Sequence, residues 1–146
     1  MVLKESLLVN LYECFCELFK QIDDKYVCHF GELEETEENA INISFRGNTT
    51  DNKRTLDGNF INYKTAMVLN IHGSATESLA DTMSFIETFV DYFSKHFNFC
   101  YTDDETGEIK VVILSIDLRG NINYLGKTNS KSIPCWSVNY TVTYGK

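Results

Sequence analysis

A chain of 146 residues that is 43% hydrophobic and 23% charged carries enough apolar side chain for one core, which excludes a wholly disordered segment and fits a single domain over 1–146. Its net charge of −8 and its scattered Lys and Arg exclude the clustered basic face that double-stranded nucleic acid requires. Five cysteines, odd in number and irregular in spacing, fit reduced thiols rather than a disulfide framework.

The N-terminal stretch MVLKESLLVNLYECFCELFK has neither a basic start nor a small-residue cleavage site, and Lys4, Glu5, Glu13 and Glu17 interrupt its apolar residues. It is expected to be neither a signal peptide nor a membrane span, leaving the chain in the cytosol where it is made. Leu3, Leu7, Leu11, Phe15, Leu18 and Ile22 recur at steps of three and four, which predicts an amphipathic helix ending near Asp23. YVCHF follows as a short strand. In GELEETEENAINISF the acidic half is expected to be solvated, while Ile41, Ile43 and Phe45 alternate as a strand.

RGNTTDNKRTLDGN, rich in Gly, Asn, Asp and Thr, reads as a long polar loop. Alternation resumes through Tyr63, Thr65, Met67, Leu69 and Ile71. Ser74 and Glu77 have the spacing of a capping box, which predicts a helix carrying Leu79, Met83, Ile86, Val90, Phe93 and Phe97, with Phe85 and Phe89 widening its stripe. YTDDETGE is a turn, and the β-branched run IKVVILSIDLRG predicts the central strand, buried on both faces. NINYLGKTNSKSIP then connects to a closing strand in which Trp136, Val138, Tyr140, Val142 and Tyr144 share one face. The expected fold class is α+β: an antiparallel or mixed sheet of about four or five strands packed by two long amphipathic helices.

No residue pattern marks a catalytic centre. Cys14 and Cys16 point to nearly opposite sides of a helix, and Cys28 and His29 to opposite faces of a strand. Cys100, Cys135, His72 and His96 are isolated, so neither a metal site nor a Cys–His nucleophile is signalled, and the glycines never cluster into a phosphate loop. Two acidic stretches stand out, Glu32–Glu38 and Asp103–Glu108, and neither has the ligand pattern of a calcium loop. Arg46, Lys53 and Arg54, with Asp57, fall in the polar loop and are opposite in sign to Glu34, Glu35, Glu37 and Glu38. In a homo-oligomer such separated patches can meet between neighbouring copies.

The order of elements, the turn LDGN (residues 56–59), the strand ending NIHG before a helix, and the terminal WSVNYTVTYGK resemble the tail-terminator and minor-capsid proteins of tailed bacteriophages, also carried by phage-derived tail particles. The resemblance runs from about Leu3 to Tyr144. It implies a ring, usually a homo-hexamer, that caps the head-proximal end of the tail tube, stops polymerisation and offers a docking surface to the head or neck. It also implies no enzymatic activity and no cofactor. The implied partners are the tail-tube protein, the sheath where the tail contracts, and a neck or head connector, with DNA passing unbound and no membrane. Synthesis and assembly are implied in the bacterial cytoplasm, and the final location in the virion tail. The charged residues above, with Tyr144 at the chain end, are then the expected subunit or tail contacts. Alternatives are a neck or head-completion connector, a small cytosolic thiol enzyme, and a ligand-binding α+β module.

Overall fold

A computed structural model of the chain describes residues 5–34, 36–54, 61–95 and 98–146, with the backbone alone at 50–54 and 61. Helix α1, Leu7–Ile22, begins where the Ser6 hydroxyl accepts the Val9 amide at 3.3 Å. It stops at Asp23, whose amide returns to the Phe19 carbonyl at 3.0 Å. After it come β1 (Val27–Phe30), β2 (Ala40–Arg54), β3 (Ile61–His72), α2 (Leu79–Lys95), β4 (Phe99–Thr102), β5 (Ile109–Lys127) and β6 (Pro134–Gly145).

The strands form one curled six-stranded sheet in the order β1-β2-β3-β6-β5-β4. All neighbours are antiparallel except β1 and β2, so the sheet is mixed. The α+β class therefore holds, with more strands than the sequence suggests. The central position belongs to β3 and β6, not to the β-branched β5, which has β4 beside its first residues and alternates buried with half-buried side chains before becoming exposed. Isoleucine and valine favour a strand but do not say how many neighbours it has.

Two expected connections are strand instead. Residues Arg46–Arg54 continue β2 and pair with β3, past a bulge at Gly47 with φ 64°. Residues Asn121–Lys127 continue β5 against β6, with register shifts that absorb the polar residues. The expected capping box is also absent. Ser74 is buried at the exit of β3, where its hydroxyl accepts the Thr76 amide at 3.2 Å, and α2 starts after Ser78. The α2 stripe is rotated as well: Phe85, Ile86, Phe89 and Phe93 are buried, whereas Leu79 is exposed. Phe97 and His96 lie outside the described residues.

Both helices cover the same face of the sheet. Phe15 and Phe19 of α1 meet Phe93 of α2 edge-on at 5.5 and 5.6 Å, and Phe93 meets Tyr140 of β6 at 5.7 Å. Edge-to-face ring packing adds about 0.5–1.5 kcal/mol per pair beyond burial. The terminal strand is thus the floor of the core, since Trp136, Val138, Tyr140, Val142 and Tyr144 are each at most 2% exposed. The opposite sheet face is polar: the Asn42 carboxamide oxygen accepts from Ser44 Oγ at 2.9 Å and from Asn70 Nδ2 at 3.3 Å, and Arg119 Nε donates to Thr141 Oγ1 at 2.9 Å.

Gly73 joins β3 to the turn before α2. A Cβ there would lie 2.6 Å from Thr82 Oγ1 and 3.3 Å from the Trp136 ring. Gly73→Ala is expected to cost about 1–3 kcal/mol through overpacking, with part recovered in the Thr82→Ala background. Phe89→Ala is expected to lose about 3–5 kcal/mol, whereas Phe30→Ala, at a side chain 55% exposed, loses about 1 kcal/mol or less. Urea unfolding of the variants measures each value.

Candidate subunit interface

Short edge strands leave much of the sheet's two outer edges open. On one flank β1 pairs with Ala40–Ile43, and among the described residues the outer side of β2 has no strand neighbour from Ser44 to Arg54. On the other flank β4 pairs with Ile109–Ile113, and among the described residues β5 is likewise open from Ser115 to Lys127. A long open edge presents backbone donors and acceptors in a row, which single-chain proteins usually cover. Exposed apolar side chains accompany both flanks: Val27 and Phe30 on β1, and Leu118, Tyr124 and Leu125 on β5.

Beyond Gly47 the β2–β3 hairpin becomes an arm. Its root is the row in which Tyr63, Tyr144 and Ile113 are register partners. Tyr144 was expected at a contact surface, but it is 1% exposed. Its ring stacks on Tyr63 at 5.6 Å and its hydroxyl donates to Asn48 Oδ1 at 2.7 Å. Burial pushes this phenol up to about 12, so it remains a neutral donor at neutral pH. Tyr144 therefore fixes the arm rather than touching a partner. Arg46 is exposed just before the bulge and Lys64 at the root of the arm, and Lys53 and Arg54 lie in its distal strand. Asp57 lies outside the described residues.

The glutamate run divides in two. It connects β1 to β2, so the parallel pairing makes it run back along the sheet. Glu38 Oε1 accepts the Ala75 amide at 2.8 Å, the Glu37 carbonyl meets His72 Nδ1 at 2.8 Å, and Glu37 Oε2 lies 3.3 Å from His29 Nε2. Glu37 and Glu38 thus clasp their own chain, while Glu32 and Glu34 face outward. Glu35 lies outside the described residues. This segment sits near Ala40, about 20 Å along β2 from Arg46 at ~3.4 Å per residue. It does not meet the basic arm within the subunit.

The second acidic stretch is better placed opposite the arm. Asp103 Oδ1 accepts the Glu105 and Thr106 amides at 2.8 and 3.3 Å, and these bonds hold its carboxyl below the usual range. Gly107, at φ 72°, completes the turn, leaving Asp104, Glu105 and Glu108 exposed. The turn precedes Ile113 and so projects past the same Tyr63–Tyr144–Ile113 row as the arm, on the other flank. The sequence separates these stretches by about fifty residues, and only the strand order reveals that they share an end.

Two cavities complete the surface. One of about 620 Å³ lies between α1 and β1 and contains the Cys16 and Cys28 thiols. The other, about 410 Å³, lies on the polar sheet face beside Asn42, His72 and Cys135. His72 and Cys135 are cross-strand partners, and the Cys135 thiol donates to the Ile133 carbonyl at 3.4 Å. Among the described residues no three His, Cys, Asp or Glu side chains gather to hold a metal ion, and no helix is long and apolar enough to cross a membrane. Compared with protein-family models and with curated proteins, the chain finds no match.

Tyr144→Phe is expected to lower stability by about 1 kcal/mol through loss of the Asn48 bond. Amide exchange should rise in the arm and stay unchanged in α2, as read by hydrogen–deuterium exchange of the two proteins.

Proposed function

We propose that the chain is a structural ring subunit of the tail-terminator kind. In this reading it sits at the head-proximal end of a phage tail tube or tail-like particle. It halts tube growth and receives the neck or head connector. The observation that carries the proposal is the pair of open strand edges on opposite flanks of one sheet, which makes a subunit with two different sticky sides. Such sides join head to tail, and a constant rotation between copies closes them into a ring.

Charge supports the same arrangement. In a ring whose axis runs along the strands, neighbours stand at equal height and meet flank to flank. The arm of one copy, with Lys53 and Arg54 in its distal strand, then reaches the end of the next that carries Asp104, Glu105 and Glu108. The acidic Glu32–Glu34 end stays away from that contact and is left for another protein, the tube or the connector. A net charge of −8 per subunit also suits a passage that DNA must traverse without sticking. The ring is proposed as a homo-hexamer, assembled in the bacterial cytoplasm with the tail-tube protein, and with sheath where the tail contracts. No catalytic step is assigned to it.

Light scattering and negative-stain electron microscopy of the purified chain are expected to give closed rings. Glu105→Lys with Glu108→Lys should raise the concentration needed for assembly about tenfold or more, since like charges then face each other. Adding Lys53→Glu with Arg54→Glu restores assembly, and Glu34→Lys leaves it unchanged. A chain that is monomeric at every concentration and absent from the head-proximal end of tails contradicts the proposal. Saturation at a two-fold dimer does so too.

A further inference from the structure

The cavity between α1 and β1 holds a pair of thiols that the ring reading does not use. Cys16 stands half-buried on α1 and Cys28 half-buried on β1. Both line the same opening of about 620 Å³, so a small molecule can reach them from solvent. Tyr12, one turn before Cys16, ties α1 to β1: its hydroxyl donates to the Cys28 carbonyl at 3.2 Å. The other thiols stand apart from this arrangement: Cys14 is buried, Cys100 is exposed on β4, and Cys135 lies on β6.

We propose that Cys16 and Cys28 form a dithiol modification site that reacts with small neutral or cationic disulfides and closes to an intramolecular disulfide between α1 and β1. The inference is independent of the ring reading.

The two thiols have different roles. The Cys28 thiol holds the Cys16 thiol below its usual range against the opposing effect of burial. The Cys16 thiol and burial push Cys28 above it. Cys16 is accordingly assigned as the nucleophile and Cys28 as the resolving thiol. In the first step the Cys16 thiolate attacks one sulfur of the reagent disulfide R–S–S–R, forming Cys16–S–S–R and releasing R–S⁻. In the second step Cys28 gives up its proton to solvent and attacks the Cys16 sulfur, releasing a second R–S⁻. The reagent is reduced to two thiols and the protein loses two hydrogens.

Reagent class follows from the charges at the mouth. Glu13, Glu17 and Asp24 surround the opening against two cations, Lys20 on its lining and Lys110, which pairs with Glu13 at 3.3 Å and sits over the Tyr101 ring, so the mouth stays acidic by one charge. Tyr12, Tyr26 and Tyr101 supply apolar walls. An anionic disulfide is repelled there, and a cationic one is attracted, by an amount that salt screens.

The test treats the reduced full-length chain with cystamine, quenches with acid, and maps peptides by mass spectrometry. The expected product is a Cys16–Cys28 linked peptide lacking two hydrogens. In Cys28→Ser the reaction stops with one cysteamine adduct on Cys16, and in Cys16→Ser Cys28 stays reduced over the same interval. Cystamine reacts faster than the dianionic 5,5′-dithiobis(2-nitrobenzoate) at low salt, and the ratio falls as salt rises. Modification of Cys100 alone, an adduct on Cys28 ahead of Cys16, or equal rates for the two reagents at low salt overturns the proposal.

Discussion

The whole structure depends on the contact between two phenylalanine stripes and the chain's last strand. Phe15 and Phe19 from α1 and Phe85, Phe89 and Phe93 from α2 pack into one another, and Phe93 reaches Tyr140 in the centre of the sheet. Elements from both ends and the middle of the sequence meet at this point, so no part of the core forms without the others. β6 is laid between β3 and β5 and roofed by both helices, which accounts for its aromatic face.

The core covers one face and the middle of the sheet, and leaves the flanks unfinished. β1 and β4 are four residues each, too short to shield strands of 15 and 19 residues. Protection against uncontrolled edge pairing comes from bulges and charge instead: Gly47 and Gly120 sit at register shifts, and Arg46, Asp117 and Arg119 project from the open stretches. These devices permit a partner of matched shape and charge while discouraging a random one. In the proposed ring these flanks are the surfaces that neighbouring copies cover.

Periodicity revealed the elements whose burial is one-sided. α1, the inner half of β2, β3 and β6 could be read from Leu11, Ile43, Met67 and Val138 because each alternation meets a single core. The extensions of β2 and β5 could not, because Asn48–Arg54 and Gly120–Lys127 are held by backbone pairing and bulges, and apolar residues are too few in their sequences to set a rhythm. The start of α2 was misplaced because Ser74 and Glu77 have the right spacing but are engaged elsewhere: Ser74 in its own turn, Glu77 with Lys25 at 3.1 Å. At the surface, charge signs were visible in sequence and their pairing was not. Glu37 and Glu38 prove to be internal clasps and Tyr144 the root of the arm, while the acidic turn at Asp103–Glu108 gains meaning only from strand order. The Cys16–Cys28 pair had no signal at all, since a helix residue and a strand residue share no common period.

The central claim is that two different flanks of this sheet meet in neighbouring copies. Hydrogen–deuterium exchange of the chain across a dilution series tests it directly. The account expects amides of Ser44–Asn48 on β2 and of Ser115–Lys127 on β5 to become protected together as concentration rises, with Glu32–Glu34 unaffected. Exchange that ignores concentration on both edges, or protection confined to one of them, would contradict it.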